Sequence, residues 1–471
     1  MSRVAQQLAL FELKLMLRNP ILWASAGVML AWRTVATWSF EPAWHLETVQ
    51  TATAALLVGA AAVVVTSMVT MRDSRPQTAE LFSALPTGQP VRTVAVVVAG
   101  PIAAGLVVAL VSVLHFVSLL GGTPAGRFDA YEVLTGVMVA ALMAALGVAL
   151  TRWAPTLIIA PVLIVALVWA IFQFGRNWLM PVVPIASAPG DISRPSGWHL
   201  GYVTALVILV AALALMRHGI QPARTGIAGV AAVAVGLTGW STVSQPEANE
   251  RETVKASTTY VCQRLGTVEY CAYPLFTRWI SIWQGAVDPV VQGVPPKLRA
   301  HLPRVIQLPG EESLTGTNLK STIMVTLQWG RNGGEAADRR SLASRMAAAA
   351  IGLPGGYLAV HNCDLRGQAR SIIAIWLAMR AGEPPARFQQ SPFDEGPNTV
   401  VYQASDLGII DFGDEELHYA RRLLAMPMAE RRIWANWDRL ASPKTSIAEA
   451  LPLLGLRSEV PSERPREQPC R

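Results

Sequence analysis

The chain contains the run TATAALLVGAAAVVVTSMVTM at residues 51–71, which carries no charged side chain. An α-helix rises about 1.5 Å per residue, so a helix of about 20 apolar residues crosses the hydrocarbon core of a bilayer. Comparable apolar runs occur at about 20–40, 93–120, 135–151, 156–174, 200–216 and 226–244. The sequence therefore predicts a polytopic α-helical membrane protein with about seven transmembrane helices within residues 20–245.

The overall composition is that of a membrane protein. Of 471 residues, 52% are hydrophobic and 15% are charged, and the mean hydropathy is +0.36, which is apolar for a soluble chain of this size. The net charge of +7 could suit nucleic acid, but the basic residues do not form a patch interleaved with aromatic residues. We therefore expect no nucleic-acid partner.

Basic residues in the loops predict the orientation, because Lys and Arg near span ends are retained in the cytoplasm. With a cytoplasmic amino terminus, nine basic residues are cytoplasmic: Arg3, Lys14, Arg18, Arg72, Arg75, Arg92, Arg152, Arg217 and Arg224. Three fall in the opposite loops: Arg127, Arg176 and Arg194. Seven spans then place residues 246–471 outside the cytoplasm.

Residues 1–19 precede the first span and have helical periodicity. Val4, Leu8, Phe11 and Leu15 recur on one helical face, a pattern typical of a helix lying in the membrane interface. Proline at residue 20 ends that helix. We predict a cytoplasmic interfacial elbow helix; the alternative is a simple start to the first span.

A second short helix is predicted in the loop RDSRPQTAELFSALP, residues 72–86. Ser74 and Gln77 form a capping box, and Pro86 ends the helix. Thr78, Leu81, Phe82 and Leu85 form an apolar ridge. The ridge is too short to span a bilayer, so it either docks on a partner or lies flat on lipid headgroups.

The elbow ending in Arg-Asn-Pro at 18–20, the first two spans and the 72–86 loop together resemble the permease subunit of an ABC-2 type exporter. The resemblance covers about the first 225 residues and implies a cytoplasmic coupling loop at 72–92 that docks on a separate ABC ATPase subunit. It also implies a second permease subunit, a homodimer or heterodimer, in the plasma membrane. The implied coupling residues are Arg72, Arg75, Glu80, Leu81, Phe82 and Leu85. A seventh span and a large outer domain depart from the family.

Arg33 lies near the outer end of the first predicted span. A charge inside a membrane can mark a substrate pathway. Snorkelling of its guanidinium to the outer headgroups is the alternative that we favour.

Residues 246–456 are predicted to form a soluble, extracytoplasmic α+β domain, with a disordered tail at 457–471. Residues 246–471 hold 26 basic and 24 acidic residues of the chain. Helices are predicted at about 275–286, 336–351, 365–381, 414–426 and 428–441, and strands near 303–308, 321–329 and 398–403. The tryptophans Trp279, Trp283, Trp376, Trp434 and Trp437 are predicted to fill the core or meet the membrane surface.

A disulfide is predicted at the start of this domain. Residues 258–265 and 268–273 form a predicted hairpin around Gly266-Thr267, which places Cys262 opposite Cys271. Paired cysteines of this register form a disulfide in an oxidising compartment; two buried thiols are the alternative. Pairing of Cys363 with Cys470 is left open.

The sequence lacks the motifs of common enzymes. It has no Gly-x-x-x-x-Gly-Lys-Ser/Thr phosphate loop, no His-Glu-x-x-His zinc motif and no Gly-x-Ser-x-Gly elbow. We therefore expect no catalytic site, metal or cofactor in this chain. The alternative to a permease is a membrane-anchored sensor or envelope-assembly protein whose outer domain binds a ligand.

Overall fold

A computed structural model describes residues 3–38, 41–72, 88–156, 158–174, 177–183, 194–244, 260–307, 322–325, 329–330, 335–353, 365–382 and 412–460. The chain divides into two compact units, which we call the membrane unit (Met1–Trp38 and Pro42–Thr253) and the C-terminal unit (Ser39–Glu41 and Val254–Arg471). The predicted division at residues 245 and 246 lies outside the described residues.

The membrane unit is helical. Its helices are α1 (Arg3–Leu17), α2 (Pro20–Thr37), α3 (Trp44–Met71), α4 (Gln89–Leu119), α5 (Ala130–Trp153), α6 (Ile159–Phe174), α7 (Ser196–Met216) and α8 (Pro222–Ser244). Within the described part of the chain, α3, α4, α5, α7 and α8 are long and apolar enough to cross a membrane. The chain thus carries helices suited to a bilayer.

The seven predicted spans are matched only in part. Helix α2 has 18 residues, and Arg33 within it lowers its hydropathy. Helix α6 has 16 residues, about 24 Å of helix, against a hydrocarbon core of about 30 Å. Five candidate spans are therefore found among the described residues instead of seven.

Contacts between helices show which helix ends lie together. Thr66 of α3 donates to the Ala144 carbonyl of α5 at 3.1 Å, and Gly136 near the start of α5 faces Ala52 near the start of α3. Helices α3 and α5 therefore run parallel. Thr93, in the first turn of α4, lies 2.8 Å from His218, just past the end of α7. Helices α4 and α7 are therefore antiparallel.

Two ends of the bundle follow from these contacts. At the end that we call the Arg72 end, α3, α5 and α7 finish and α4 and α8 begin. Five basic residues belong to these helix ends: Arg72, Arg92, Arg152, Arg217 and Arg224. At the opposite end, the Glu47 end, α2 and α4 finish and α3, α5 and α7 begin.

Helix α1 exists as predicted but presents a different face to the protein. Its buried residues are Ala5, Ala9, Glu12 and Met16. Val4, Phe11 and Leu15 of the predicted apolar ridge are exposed. An exposed apolar face is what a helix at a lipid surface requires, because lipid rather than protein covers it.

The C-terminal unit contains a four-stranded sheet in the order β1 (Val261–Leu265), β2 (Val268–Ala272), β3 (Arg304–Gln307), β4 (Thr322–Val325). Strands β1 and β2 form the predicted hairpin, and Gly266 in its turn has φ +62°. Strands β2, β3 and β4 are parallel. The β2–β3 crossover contains a 3₁₀ helix (Pro274–Trp279) and α9 (Ile280–Gly293). The predicted strand at 398–403 lies outside the described residues.

Six more helices of the C-terminal unit follow the sheet in the described part of the chain. They are α10 (Glu335–Ala350), α11 (Ala369–Met379), α12 (Asp414–Ala425), α13 (Ala429–Ala435), α14 (Trp437–Leu440) and α15 (Ile447–Leu454). Every residue of α11 is buried, which identifies this short apolar helix as a core element. Trp279, Trp283, Trp376 and Trp437 are buried as predicted.

In this unit one predicted helix is divided and one helix was missed. The single helix predicted at 428–441 is divided at Asn436 into α13 and α14, because the backbone there leaves the helical region. Helix α15 was not predicted. A capping box between Ser446 and Glu449 starts it, and Gly455 with φ +71° ends it.

Candidate functional site

A group of polar side chains lies buried between three helices at the Glu47 end of the membrane unit. We call Arg33 of α2, Glu47 and Gln50 of α3, and His115 of α4 the Glu47 cluster. Arg33 Nη2 donates to Glu47 Oε2, and Arg33 Nη1 donates to Gln50 Oε1 at 3.0 Å. His115 Nε2 lies 3.2 Å from the same Glu47 Oε2. One carboxylate oxygen therefore serves two nitrogen partners on two different helices.

The position of each group along its helix suits its charge. Glu47 lies in the first turn of α3, where the positive end of the helix dipole stabilises a carboxylate. Arg33 and His115 lie near the last turns of α2 and α4, where the dipole favours a cation. Each group is about 4–6 Å along the axis from its helix end. The local backbone thus supports the observed pairing.

The three ionisable members of the cluster are buried within the chain, whereas Gln50 is half-buried. The side chains of Arg33, Glu47 and His115 are 4%, 1% and 0% exposed. Aromatic rings lie beside it: Phe116 is 5.6 Å from the His115 ring, and Trp44 packs edge-on against Phe116 and Phe128. Burial strengthens the ion pair, since little water screens it.

Four buried polar atoms of this region have no hydrogen-bond partner among the described residues. They are Arg33 Nε, Glu47 Oε1, His115 Nδ1 and Thr51 Oγ1. Thr51 follows Glu47 by four residues and lies on the same face of α3. Buried polar atoms are normally satisfied, so these four atoms are unused hydrogen-bonding positions within or beside the cluster.

The structure places Arg33 in a protein environment and not at the outer lipid headgroups, where its sequence position had suggested that it would lie. The guanidinium does not snorkel to the outer headgroups; it is buried and paired with Glu47. Glu47 and His115 were not among the residues predicted from the sequence. Both could have been found as ionisable residues in or next to apolar runs, since His115 lies within the run 93–120 and Glu47 precedes the run 51–71.

A second buried ion pair lies at the same end. Glu132 in the first turn of α5 accepts from Arg194 at 2.9 Å and from Ser196 of α7 at 2.8 Å. Arg194 also donates to the Val183 carbonyl and lies over the Trp178 ring. These contacts tie the segment before α7 to α5, which is a structural role.

Among the predicted coupling residues, the structure describes Arg72. It caps α3 and donates to Glu12 of α1, so within this chain Arg72 joins the end of α3 to α1. Arg75, Glu80, Leu81, Phe82 and Leu85 lie outside the described residues. Their docking role stays a prediction.

The predicted disulfide is confirmed. Cys262 and Cys271 are directly opposite in the β1–β2 register and are bonded through their sulfurs. Cys363 and Cys470 lie outside the described residues.

The C-terminal unit has one further buried acid of note, Glu416 in the first turn of α12. It accepts the Gly367 N–H at 2.6 Å and the Gly413 N–H at 2.8 Å. Burial raises the pKa of Glu416 to about 7, although both backbone N–H groups favour its charged form. Through these two hydrogen bonds, Glu416 connects the turn before α11 to the start of α12.

The described residues contain no group of three or more His, Cys, Asp or Glu side chains placed to hold a metal ion. In comparisons with known proteins, no family model, curated protein or solved structure matched the chain. The geometry of the molecule and its sequence pattern are therefore the basis for assigning a function.

Proposed function

We propose that the chain is the permease subunit of an ATP-driven exporter and works with a separate ATPase subunit. The proposal rests on the loop sequence at 72–86 and on the resemblance that it carries. The observation that supports it best is the Arg72–Glu12 ion pair. This pair joins the residue at which the loop begins to α1, so a displacement of the loop would move α1 and α3 together.

The proposed mechanism is a rigid-body change. ATP binding brings the ATPase subunits together and pushes the docked loop helices, and the attached spans tilt to open a path on the other side. The path lies between two permease subunits. The chain supplies no ATP site of its own, because it lacks the phosphate-loop motif.

Seven spans remain part of this proposal, with α2 and α6 as the two additional crossings. The Glu47 carboxylate offsets the charge of Arg33, which lowers the cost of placing α2 in a bilayer. Helix α6 is short for a span, and a short helix is accommodated by local thinning of the bilayer. An odd number of spans places the two chain ends on opposite sides.

The Cys262–Cys271 disulfide supports an outer location for the C-terminal unit, because such bonds persist in oxidising compartments. The orientation can be tested by fusing alkaline phosphatase, which is active only outside the cytoplasm, after Arg471. An active fusion is expected. A fusion that is inactive, while a cytoplasmic reporter at the same position is active, would contradict the proposed orientation.

The coupling role can be tested by co-expression with any ABC ATPase whose gene neighbours that of this chain. We expect the two to copurify and the variants Phe82→Asp and Leu85→Asp to lose association, because a buried charge opposes docking of an apolar ridge. Ser83→Asp adds the same charge off the ridge and serves as the matched control. If Phe82→Asp and Leu85→Asp retained ATPase association as fully as the Ser83→Asp control does, the assignment would be refuted.

A membrane-anchored sensor is the second candidate, supported by a C-terminal unit with its own core and sheet. A sensor would bind no ATPase. A kinase or regulator encoded beside the chain, together with failure to copurify any ATPase, would favour it over the permease.

A further inference from the structure

We propose that His115 and Glu47 form a buried proton-binding site, and that the bound proton competes with Arg33 for the Glu47 carboxylate. The inference does not depend on the exporter proposal. It rests on three features of the Glu47 cluster: the shared carboxylate oxygen, the unpartnered atoms and the burial of every charged member.

The hydrogen bonds determine where a proton can bind. Glu47 Oε2 accepts from the guanidinium of Arg33, and in the ionised form that such a cationic partner favours, the carboxylate can only accept. His115 Nε2, 3.2 Å away, must therefore carry the hydrogen of that contact. In a neutral imidazole the other nitrogen, Nδ1, then has a free lone pair. Nδ1 is buried and has no partner among the described residues.

The proton-binding step is simple. A proton delivered by hydronium from the aqueous phase binds to the lone pair of Nδ1, water is released, and the ring becomes an imidazolium with N–H on both nitrogens. Imidazole is the side chain that ordinarily changes charge between pH 5 and 8. The three ionisable members lie within about 4–6 Å of their helix ends, measured along each helix axis.

Charge balance explains the competition. With neutral His115, the cluster holds one cation, Arg33, and one anion, Glu47. Protonation of His115 adds a second cation beside the same carboxylate oxygen in a site with little screening. The imidazolium can then serve as the counter-ion of Glu47 in place of Arg33. Since Arg33 is the cluster's member on α2, its release loosens α2 from α3 and α4.

Other ionisable groups near the site have separate positions. His45 lies on α3 within the electrostatic influence of Glu47. On α5 and α7, Glu132 and His199 occupy the same end; Glu132 is paired with Arg194, and His199 contacts the Met180 carbonyl. His45 therefore needs its own control, because it is the other imidazole that the charge of Glu47 reaches.

The test is hydrogen exchange of the full chain in lipid nanodiscs at about pH 7.5 and about pH 5.5, with exchange times rescaled for intrinsic rates. In the wild type, amides of the last two turns of α2 should exchange about tenfold faster at the lower pH, a change of about 1.4 kcal/mol in opening free energy. An unchanged rate would overturn the proposal.

Variants assign the effect to His115. His115→Gln retains a donor toward Glu47 but cannot take a proton, so its α2 exchange should not respond to pH. His45→Gln should respond as the wild type does. Glu47→Gln should exchange fast at both pH values, because Arg33 has lost its anion. A His115→Gln variant with the wild-type response would overturn the proposal.

One direct measurement covers the case in which His115→Gln damages the bundle, recognised by faster exchange throughout α3 and α5. Histidine ¹⁵N chemical shifts of the wild type distinguish neutral from charged imidazole, and His45→Gln assists the assignment. Conversion of the His115 ring to the charged form over this pH range supports the proposal. A ring that stays neutral at the lower pH contradicts it.

Discussion

Replacement of Gly147 by alanine should separate α3 from α5, because no space exists there for a methyl group. A Cβ at Gly147 would lie 2.3 Å from Thr66 Oγ1, 2.8 Å from the Val63 carbonyl oxygen and 3.0 Å from Val63 Cα. The Thr66 side chain can rotate away, but the Val63 backbone cannot. The helices must therefore move apart by several tenths of an ångström.

The cost can be worked from these contacts. Overpacking of a close contact costs about 1–3 kcal/mol. Rotation of Thr66 would also break its 3.1 Å hydrogen bond to the Ala144 carbonyl, and an interhelical bond in a membrane contributes about 0.6 kcal/mol on average. The higher helix propensity of alanine offsets up to about 1 kcal/mol. We expect Gly147→Ala to destabilise the membrane unit by about 1–3 kcal/mol.

The assay is unfolding of the full chain by SDS in mixed micelles, followed by hydrogen exchange of peptides from α3 and α5. Gly229→Ala on α8 is the matched control, because nothing lies within 4 Å of its added Cβ. Gly59→Ala should be milder than Gly147→Ala, since its closest contact, at 2.9 Å, is the flexible Met143 side chain. Thr66→Ala in the Gly147→Ala background should restore only part of the stability, because the Val63 backbone contact persists.

The reasoning would be refuted if Gly147→Ala unfolded at the same SDS content as the wild type, or if Gly229→Ala were equally destabilising. Either result would mean that the α3–α5 distance is not set by the contact at Gly147.

Three further results are expected. Glu47→Gln should destabilise the membrane unit by roughly 3–5 kcal/mol, because Arg33 stays buried without an anion. The double variant Arg33→Gln/Glu47→Gln should lose less stability in the same SDS titration. A double variant as unstable as the sum of the single variants would argue against a coupled pair. The pKa of Glu416 rises from 4.5 to about 7 on folding, so the folded state binds a proton more tightly than the unfolded state does. The contribution of this proton to the free energy of unfolding is complete below about pH 4.5, and about 3 kcal/mol is lost as the pH rises through 7. Glu416→Gln should flatten that profile in hydrogen exchange of residues 412–425, and an unchanged profile would exclude Glu416 as the cause. Replacing Cys262 and Cys271 by serine opens a loop with a sequence separation of 9. The C-terminal unit should lose about 2–3 kcal/mol of stability, which would be seen as a lower thermal midpoint. An unchanged midpoint would show that the bond adds no stability.

The C-terminal hairpin illustrates what local sequence can predict. Glycine at 266 favours a turn with positive φ, and period-two alternation then places Cys262 opposite Cys271. All of this information lies within a dozen or so residues. The pairing of β3 and β4 in parallel with β2 requires contacts across longer stretches of chain, and no local pattern indicated it.

The predicted coupling loop at 72–92 illustrates a different limit. Its apolar ridge and capping box are local patterns, but a docking role depends on a second protein. The Arg72–Glu12 pair was equally hidden, because 60 residues separate its members. Long-range electrostatic partners of this kind are not encoded in spacing.

By itself, the sequence determined that the chain carries membrane-length apolar helices, that a separate unit with a small sheet follows them, and that two cysteines face each other in a hairpin. These properties depend on hydrophobic runs and short periodicities, which act within one element. Only the tertiary structure decided that Arg33 is neutralised by Glu47 rather than by headgroups, and that His115 shares the same carboxylate. The physical reason is that the three residues belong to different helices, and their charges become partners only when packing removes water from between them.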